Sequence, residues 1–413
     1  MKLTARVTRK IEDIPQEDWD KVFPDTLEGY NFLRSLDESK FDQFSFYYIA
    51  VYDGDEIVGA APCFLLNYSL DTSISGSTRR IFNLIKKAFP DFLSIKALVC
   101  GMPMGKGQIG MARQDRRIVK AILHKMEEVA KHEKARIVAF KDFSHGYKDT
   151  LGFLLKKRFF KVDGLPYAEM DLDFKDFDDY LKKRLSGRSR YDLKRKFRKV
   201  DADVDIKMEI VDSPTDEDLK RIYELYMAMV AKHEMGFEIV PPEFFKAVPK
   251  HMPGQTKFFL WKVDDKVVAF LFCLLSGDVM IDYYLGLDYS VAHKYHLFFI
   301  KHRDMMKWCI EKGIKRYEIG ISGYEPKKRL GFDFTPLDIY AKHRSRVMNP
   351  LFKILTRFLK FENFDPDLKE AIRSMREKGQ VSHPKSVRTT HPERRAGKHS
   401  PDLHEEGALS GRD

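Results

Sequence analysis

Residues 315–340 read KRYEIGISGYEPKKRLGFDFTPLDIY. A short β-type run, Arg316 to Ile319, ends at Gly320, and a loop holding Gly323 and Pro326 then delivers Lys327, Lys328 and Arg329 just ahead of Gly331 and Phe332. Backbone N–H groups freed by glycines, next to fixed cations at a strand end, can neutralise a phosphate or a developing oxyanion without reorganising. The same letters also suit a plain turn with three basic side chains in water, so the surroundings must decide.

Those surroundings are a strand-like VMIDYYLGLDYS from Val279 to Ser290 and a helix-like HKYHLFFIKHRDMMKWCIEKG from His293 to Gly313. Strand, helix, strand and basic glycine loop, followed by an extended TPLDIY, resemble the second half of FemAB-like acyltransferases. These are double-domain members of the GNAT superfamily that transfer acyl or aminoacyl groups to amines. The matching residues are Tyr283, Tyr284, Gly286, Gly320, Gly323, Lys327, Gly331 and Phe332, and the resemblance covers residues 180 to 346. It implies an α/β fold of two tandem GNAT-type domains, an amine acceptor, and acyl-CoA as co-substrate with no tightly bound cofactor. Because some members use aminoacyl-tRNA, that donor stays open. So does a non-catalytic module binding an anionic or lipid-linked ligand.

The chain repeats itself in outline. KFFLWKVDDKVVAFLFCLL lies over FYYIAVYDGDEIVGAAPCFLL, with Cys63 falling on Cys273, and HKMEEVAKHEKARIVAF lies over RDMMKWCIEKGIKRYEIG, with Arg136 on Arg316. Each half also closes alike, RFFKVDGLPYAEMDL against LGFDFTPLDIYAKH, which predicts a terminal hairpin in each. Three matches in one order imply a duplicated α/β domain. The expected division is 1–175, 176–362 and a mostly disordered tail, 363–413, whose apolar content is too low to offset its ordering entropy. Asp53–Gly54 marks the strongest hairpin turn, and Ser77 to Leu93 has the spacing of an amphipathic helix.

The longest apolar run, Val267 to Leu275, is half of what a membrane-spanning helix needs, and the N-terminus has no apolar signal core. The expected location is the cytoplasm. Cys63, Cys100, Cys273 and Cys309 have no metal-site spacing and read as reduced core thiols, and no metal is expected. The net charge of +11 is concentrated: Lys182 to Lys199 holds ten Lys/Arg and one acid. This stretch fits a solvated helix face, an anion site with Arg188 and Arg190 near the break at Ser186–Gly187, or a transfer RNA or acidic lipid contact. Aromatics for base stacking are thin there, and no DNA partner is expected. The segment 349–361, NPLFKILTRFLKF, is a basic amphipathic helix that either packs on the second domain or docks at the inner face of a membrane.

For chemistry, an amine must lose a proton as it attacks, and the tetrahedral oxyanion needs a donor. Strict alternation puts Asp282 and Tyr284 on one face of their strand, and Glu318 points with Gly320 toward the loop. These three are the expected base and acid, Lys327 the electrostatic stabiliser, and Arg329 an anion clamp near Gly331. His293 and His296, flanking Tyr295 at a helix start, could receive a phosphate. In the first half, the glycines 101, 105, 107 and 110 surround Lys106 between a strand and a helix, where GNAT proteins hold the diphosphate of coenzyme A.

Overall fold

The computed structural model describes residues 3–69, 94–232, 238–321, 323–358 and 366–377, all within one compact unit, Met1–Val381. The Ser77–Leu93 helix expectation and residues 378–413 lie outside the described residues.

Two sheets organise the chain. The first runs in the order β1 (Thr4–Thr8), β2 (Phe44–Asp53), β3 (Glu56–Ser69), β4 (Ser94–Cys100), β6 (Ile137–Ser144), β15 (Leu337–His343), β7 (Phe160–Asp163), with β5 (Gly110–Met111) paired to β3. The second runs β9 (Lys207–Val211), β10 (Thr256–Val263), β11 (Lys266–Ser276), β12 (Val279–Leu287), β13 (Arg316–Gly320), β8 (Tyr167–Asp171), β14 (Asp333–Thr335). The central pairs β4–β6 and β12–β13 are parallel, and their flanking pairs are antiparallel. The two sheets therefore have the same plan, as the sequence repeat implies.

The predicted terminal hairpins do not form. β15 crosses into the first sheet between β6 and β7, while β8 crosses into the second between β13 and β14. Alternating apolar strings identify strands but not their partners, and short connections favoured local pairing. A cut at 175 thus leaves each half with a strand of the other's sheet. The Asp53–Gly54 hairpin does form, with Asp53 opposite Glu56 and Gly54 at φ +67°.

Helices cover the outer faces. α3 (Arg116–His132) lays Ile118, Val119, Ile122, Met126 and Val129 on the first sheet, and Asp115 caps it by accepting from the Arg117 N–H. α8 (Leu297–Glu311), with α4 (Phe177–Arg184) and α5 (Gly187–Asp203), covers the second. Between the sheets lies a shared apolar layer. It takes α1 (Gln16–Val22) and α2 (Tyr30–Glu38) from the first half and α6 (Asp216–Lys232) and α7 (Phe244–His251) from the second. Phe32 packs edge-on against Phe244 at 6.1 Å, Lys250 ion-pairs with Glu38 at 2.7 Å, and His251 hydrogen-bonds the same carboxyl at 2.6 Å.

Part of the expected tail is ordered. α11 (Pro366–Glu377) buries Leu368, Ala371, Ile372 and Met375 in the second core, and Lys328 of α9 (Tyr324–Arg329) pairs with its Glu370 at 2.6 Å. Low overall hydrophobicity hid this short amphipathic stripe. Among the described residues, no helix is long and apolar enough to cross a membrane.

Candidate active site

Where the two sheets meet, polar side chains from both halves converge. Glu28 sits in the turn before α2, buried. The glycine-rich loop after β4 wraps against it: Gly105 takes φ +75°, and a Cβ there would stand 2.1 Å from Glu28 Oε1. That loop brings Gln108, whose Nε2 donates to Glu28 Oε2 at 2.9 Å, and Lys106. From the second sheet comes the Tyr283 hydroxyl, which donates to Glu28 Oε1. Lys106 Nζ lies 2.9 Å from Glu318 Oε2 and 3.3 Å from Glu169 Oε2, over the Tyr167 ring at 4.2 Å. Arg316 reaches Glu318 at 3.0 Å and Glu169 at 2.7 Å, and Thr335 donates to Glu169.

Glu318 and Glu169 thus share two cations beside buried Glu28 in this seam, and the surroundings move Glu28 and Glu169 in opposite directions. Burial raises Glu28 to about 7; the charge of Glu318 adds to this, while Tyr283, Lys106 and Gln108 oppose it. Burial acts the same way on Glu169, but Thr335, Lys106 and Arg316 outweigh it and hold that carboxyl below its ordinary value. Burial and Glu28 push the Tyr283 hydroxyl far above its ordinary range, so it remains a donor. One carboxyl poised near neutrality beside a fixed donor and an ammonium group can accept a proton and face an oxyanion.

Of the sequence candidates, Glu318 enters this cluster. Asp282 and Tyr284 do not, nor do they share a face. A bulge leaves Tyr283 out of register, so Phe272 faces Tyr284 and Cys273 faces Asp282, which turns the two to opposite sides. Asp282 is buried in the second core, paired with Lys301 at 3.0 Å and accepting from the Tyr317 hydroxyl at 2.8 Å. Tyr284 lies in the shared layer among Tyr226, Phe244 and Phe245, its hydroxyl buried without a hydrogen-bond partner among the described residues.

Lys327 also lies outside this cluster: its ammonium donates to the carbonyls of Ile319, Gly320 and Ile321 at 2.6, 3.1 and 3.1 Å, capping the end of β13. Burial, then Lys301, lowers it to about 7. Gly320, Gly323 and Gly331 adopt left-handed φ and turn the chain. Arg329 is exposed and paired with Glu325. Arg190 donates to the carbonyls of Lys182 and Leu185 at 3.3 and 3.0 Å, closing α4, while Arg188 is exposed. Tyr295 is half-buried and His293 exposed. His296 precedes α8 and is lowered by burial, then by Lys196, Lys199 and Arg195, so it stands near the basic helix α5. Glu28, Glu169 and Tyr283 as a proton partner were missed: no local pattern marks a lone glutamate in LEGYNF, and only the Glu28–Gly29 turn hinted at a fixed geometry.

With the seam described, known proteins supply its context. The family model for FemAB-like proteins, described as peptidoglycan biosynthesis/recognition, matches residues 10–382. The chain belongs to the FemAB-like family. Among solved structures, FemX aligns at TM-score 0.50 and 13% identity over 78% of this chain and 98% of its own. A tandem GNAT protein from the clavulanic acid biosynthesis pathway aligns at 0.51 and 11% over 83% and 99%. These likenesses show the double-GNAT fold. In sequence, the chain is 21% identical over 332 residues to a Mycobacterium tuberculosis protein named "Putative 8-amino-7-oxononanoate synthase 2". It spans 76% of this chain but only 42% of that protein's length.

Proposed function

We propose that the protein is an N-acyltransferase that moves an acyl group from a carrier to an amine at the seam between its two halves. Acyl-CoA is the carrier favoured for the reading, with aminoacyl-tRNA as the other donor the family context supports. The observation that carries the proposal is Glu28: a buried carboxyl brought to about 7, held by Tyr283 of the other half. The acceptor nitrogen attacks the carrier's carbonyl carbon and a C–N bond forms. Glu28 takes the nitrogen's proton, Tyr283 and Lys106 face the developing oxyanion, and collapse breaks the bond from carbon to the carrier's sulfur or oxygen, which leaves with that proton.

The test is Glu28→Gln and, separately, Lys106→Met, assayed with radiolabelled acyl-CoA and with charged tRNA against a mixture of amines. Glu28→Gln is expected to slow transfer about 100-fold or more without any loss of stability. Undiminished transfer in both variants would remove the seam as the active site. If only charged tRNA is consumed, the donor is corrected and the site stands.

A further inference from the structure

Helix α10 (Met348–Phe358) is bound to the first sheet by one side only. Phe352 is buried against Phe160, its ring 5.6 Å from His343, and Asn349 donates to the Arg158 carbonyl at 2.9 Å while accepting from the His343 N–H at 2.7 Å. The opposite side carries a stripe at helical spacing that nothing described covers: Val347 is 82% exposed, Leu351 50% and Ile354 51%. Beside it, across the Asn349–Arg158 bond, Leu155 is 51% exposed and is followed by exposed Lys156, Lys157 and Arg158.

The charge along this segment of the sequence has one sign. From Arg344 to Phe361 the sequence holds Arg344, Arg346, Lys353, Arg357 and Lys360 and no acid, and Arg346 and Lys353 are exposed on the helix's own solvent side. This face offers aliphatic side chains flanked by exposed cations. An anionic lipid surface needs only apolar side chains to enter the acyl boundary and cations at headgroup level.

We infer that α10, with the Leu155–Arg158 turn, is a peripheral docking surface for anionic phospholipid bilayers. Val347, Leu351 and Ile354 insert, and Arg346, Lys353, Lys156 and Lys157 meet the headgroups. Phe352 faces the protein and holds the helix in place.

The full chain is floated with vesicles of phosphatidylcholine mixed with phosphatidylglycerol, and with pure phosphatidylcholine. Flotation is expected with the mixed vesicles alone, weakening as salt is raised. The double variant Leu351→Glu, Ile354→Glu, at positions already in water, is expected to fold normally and to lose about tenfold or more of its vesicle-bound fraction. A Val347→Trp reporter is expected to shift its emission to the blue on mixed vesicles. Equal flotation of parent and double variant overturns the proposal, as does an unshifted reporter. So does a parent dimer, seen by sedimentation velocity without vesicles, that the double variant abolishes, because a second copy would then be the occupant. Truncation after 377 that raises binding to neutral vesicles would assign the stripe to the chain's own C-terminal segment and overturn it too.

Discussion

Ionising Glu28 is costly in the folded protein, and the cost can be measured apart from catalysis. Its carboxyl rises from an ordinary 4.5 to about 7 on folding. Between those values the folded protein keeps a proton that the unfolded chain has released, so stability falls as pH rises through that window, and the loss is complete above it. Glu28→Gln removes the ionisation and still accepts from Tyr283. The variant should match its parent near pH 4.5 and exceed it by on the order of 3 kcal/mol above about pH 7. Melting curves at both ends decide, and a margin independent of pH would show that Glu28 is not held protonated. Turnover in the parent should climb with pH and level off near the same value, since the base must be ionised to act. At this scale the sequence was partly legible. Glu318 stood out because its strand ends at a glycine loop, whereas Glu28 owes its character to burial by residues far away in the chain.

The element that misled alternation is β12. A period of two is safe only while the ladder is regular, and one bulged residue carried Tyr283 into the seam and parted Asp282 from Tyr284. The next residues along the same strand show how tightly this arrangement is held. A Cβ at Gly286 would stand 2.5 Å from the Phe270 ring and 2.6 Å from the backbone of Leu225 in α6. Backbone cannot yield as a side chain end can, so α6 would have to lift from the sheet. Gly286→Ala should cost about 2 kcal/mol or more, while Gly152→Ala, where a Cβ meets nothing within 4 Å, should stay within about 0.5 kcal/mol of the parent. Denaturant melts compare them, and equal costs would mean that the α6 contact is slack. The matched glycine was visible in the sequence, but its reason, a helix crossing the strand at close range, was not.

At the scale of the molecule, the repeat in the sequence announced two copies of one sheet but not their exchange of strands. Pairing partners are set by tertiary closure, and the strings RFFKVDGLPYAEMDL and LGFDFTPLDIYAKH carry only the alternation that either outcome would need. The exchange has a thermodynamic consequence. β15 fills the gap between β6 and β7, and β8 fills the gap between β13 and β14, so unfolding either half strips an interior strand from the other. The shared apolar layer adds to the coupling. The two halves should therefore melt together. Trp19 in the first half and Trp261 in the second are both fully buried and report separately in single-tryptophan variants. Their melting curves should superimpose. Ile339→Pro, which removes a ladder donor from β15 opposite Val162, should shift both probes by the same amount, although its position belongs to the second half of the chain and its sheet to the first. Two separable transitions, or a shift confined to Trp19, would mean that the crossed strands join the halves without making them one cooperative unit.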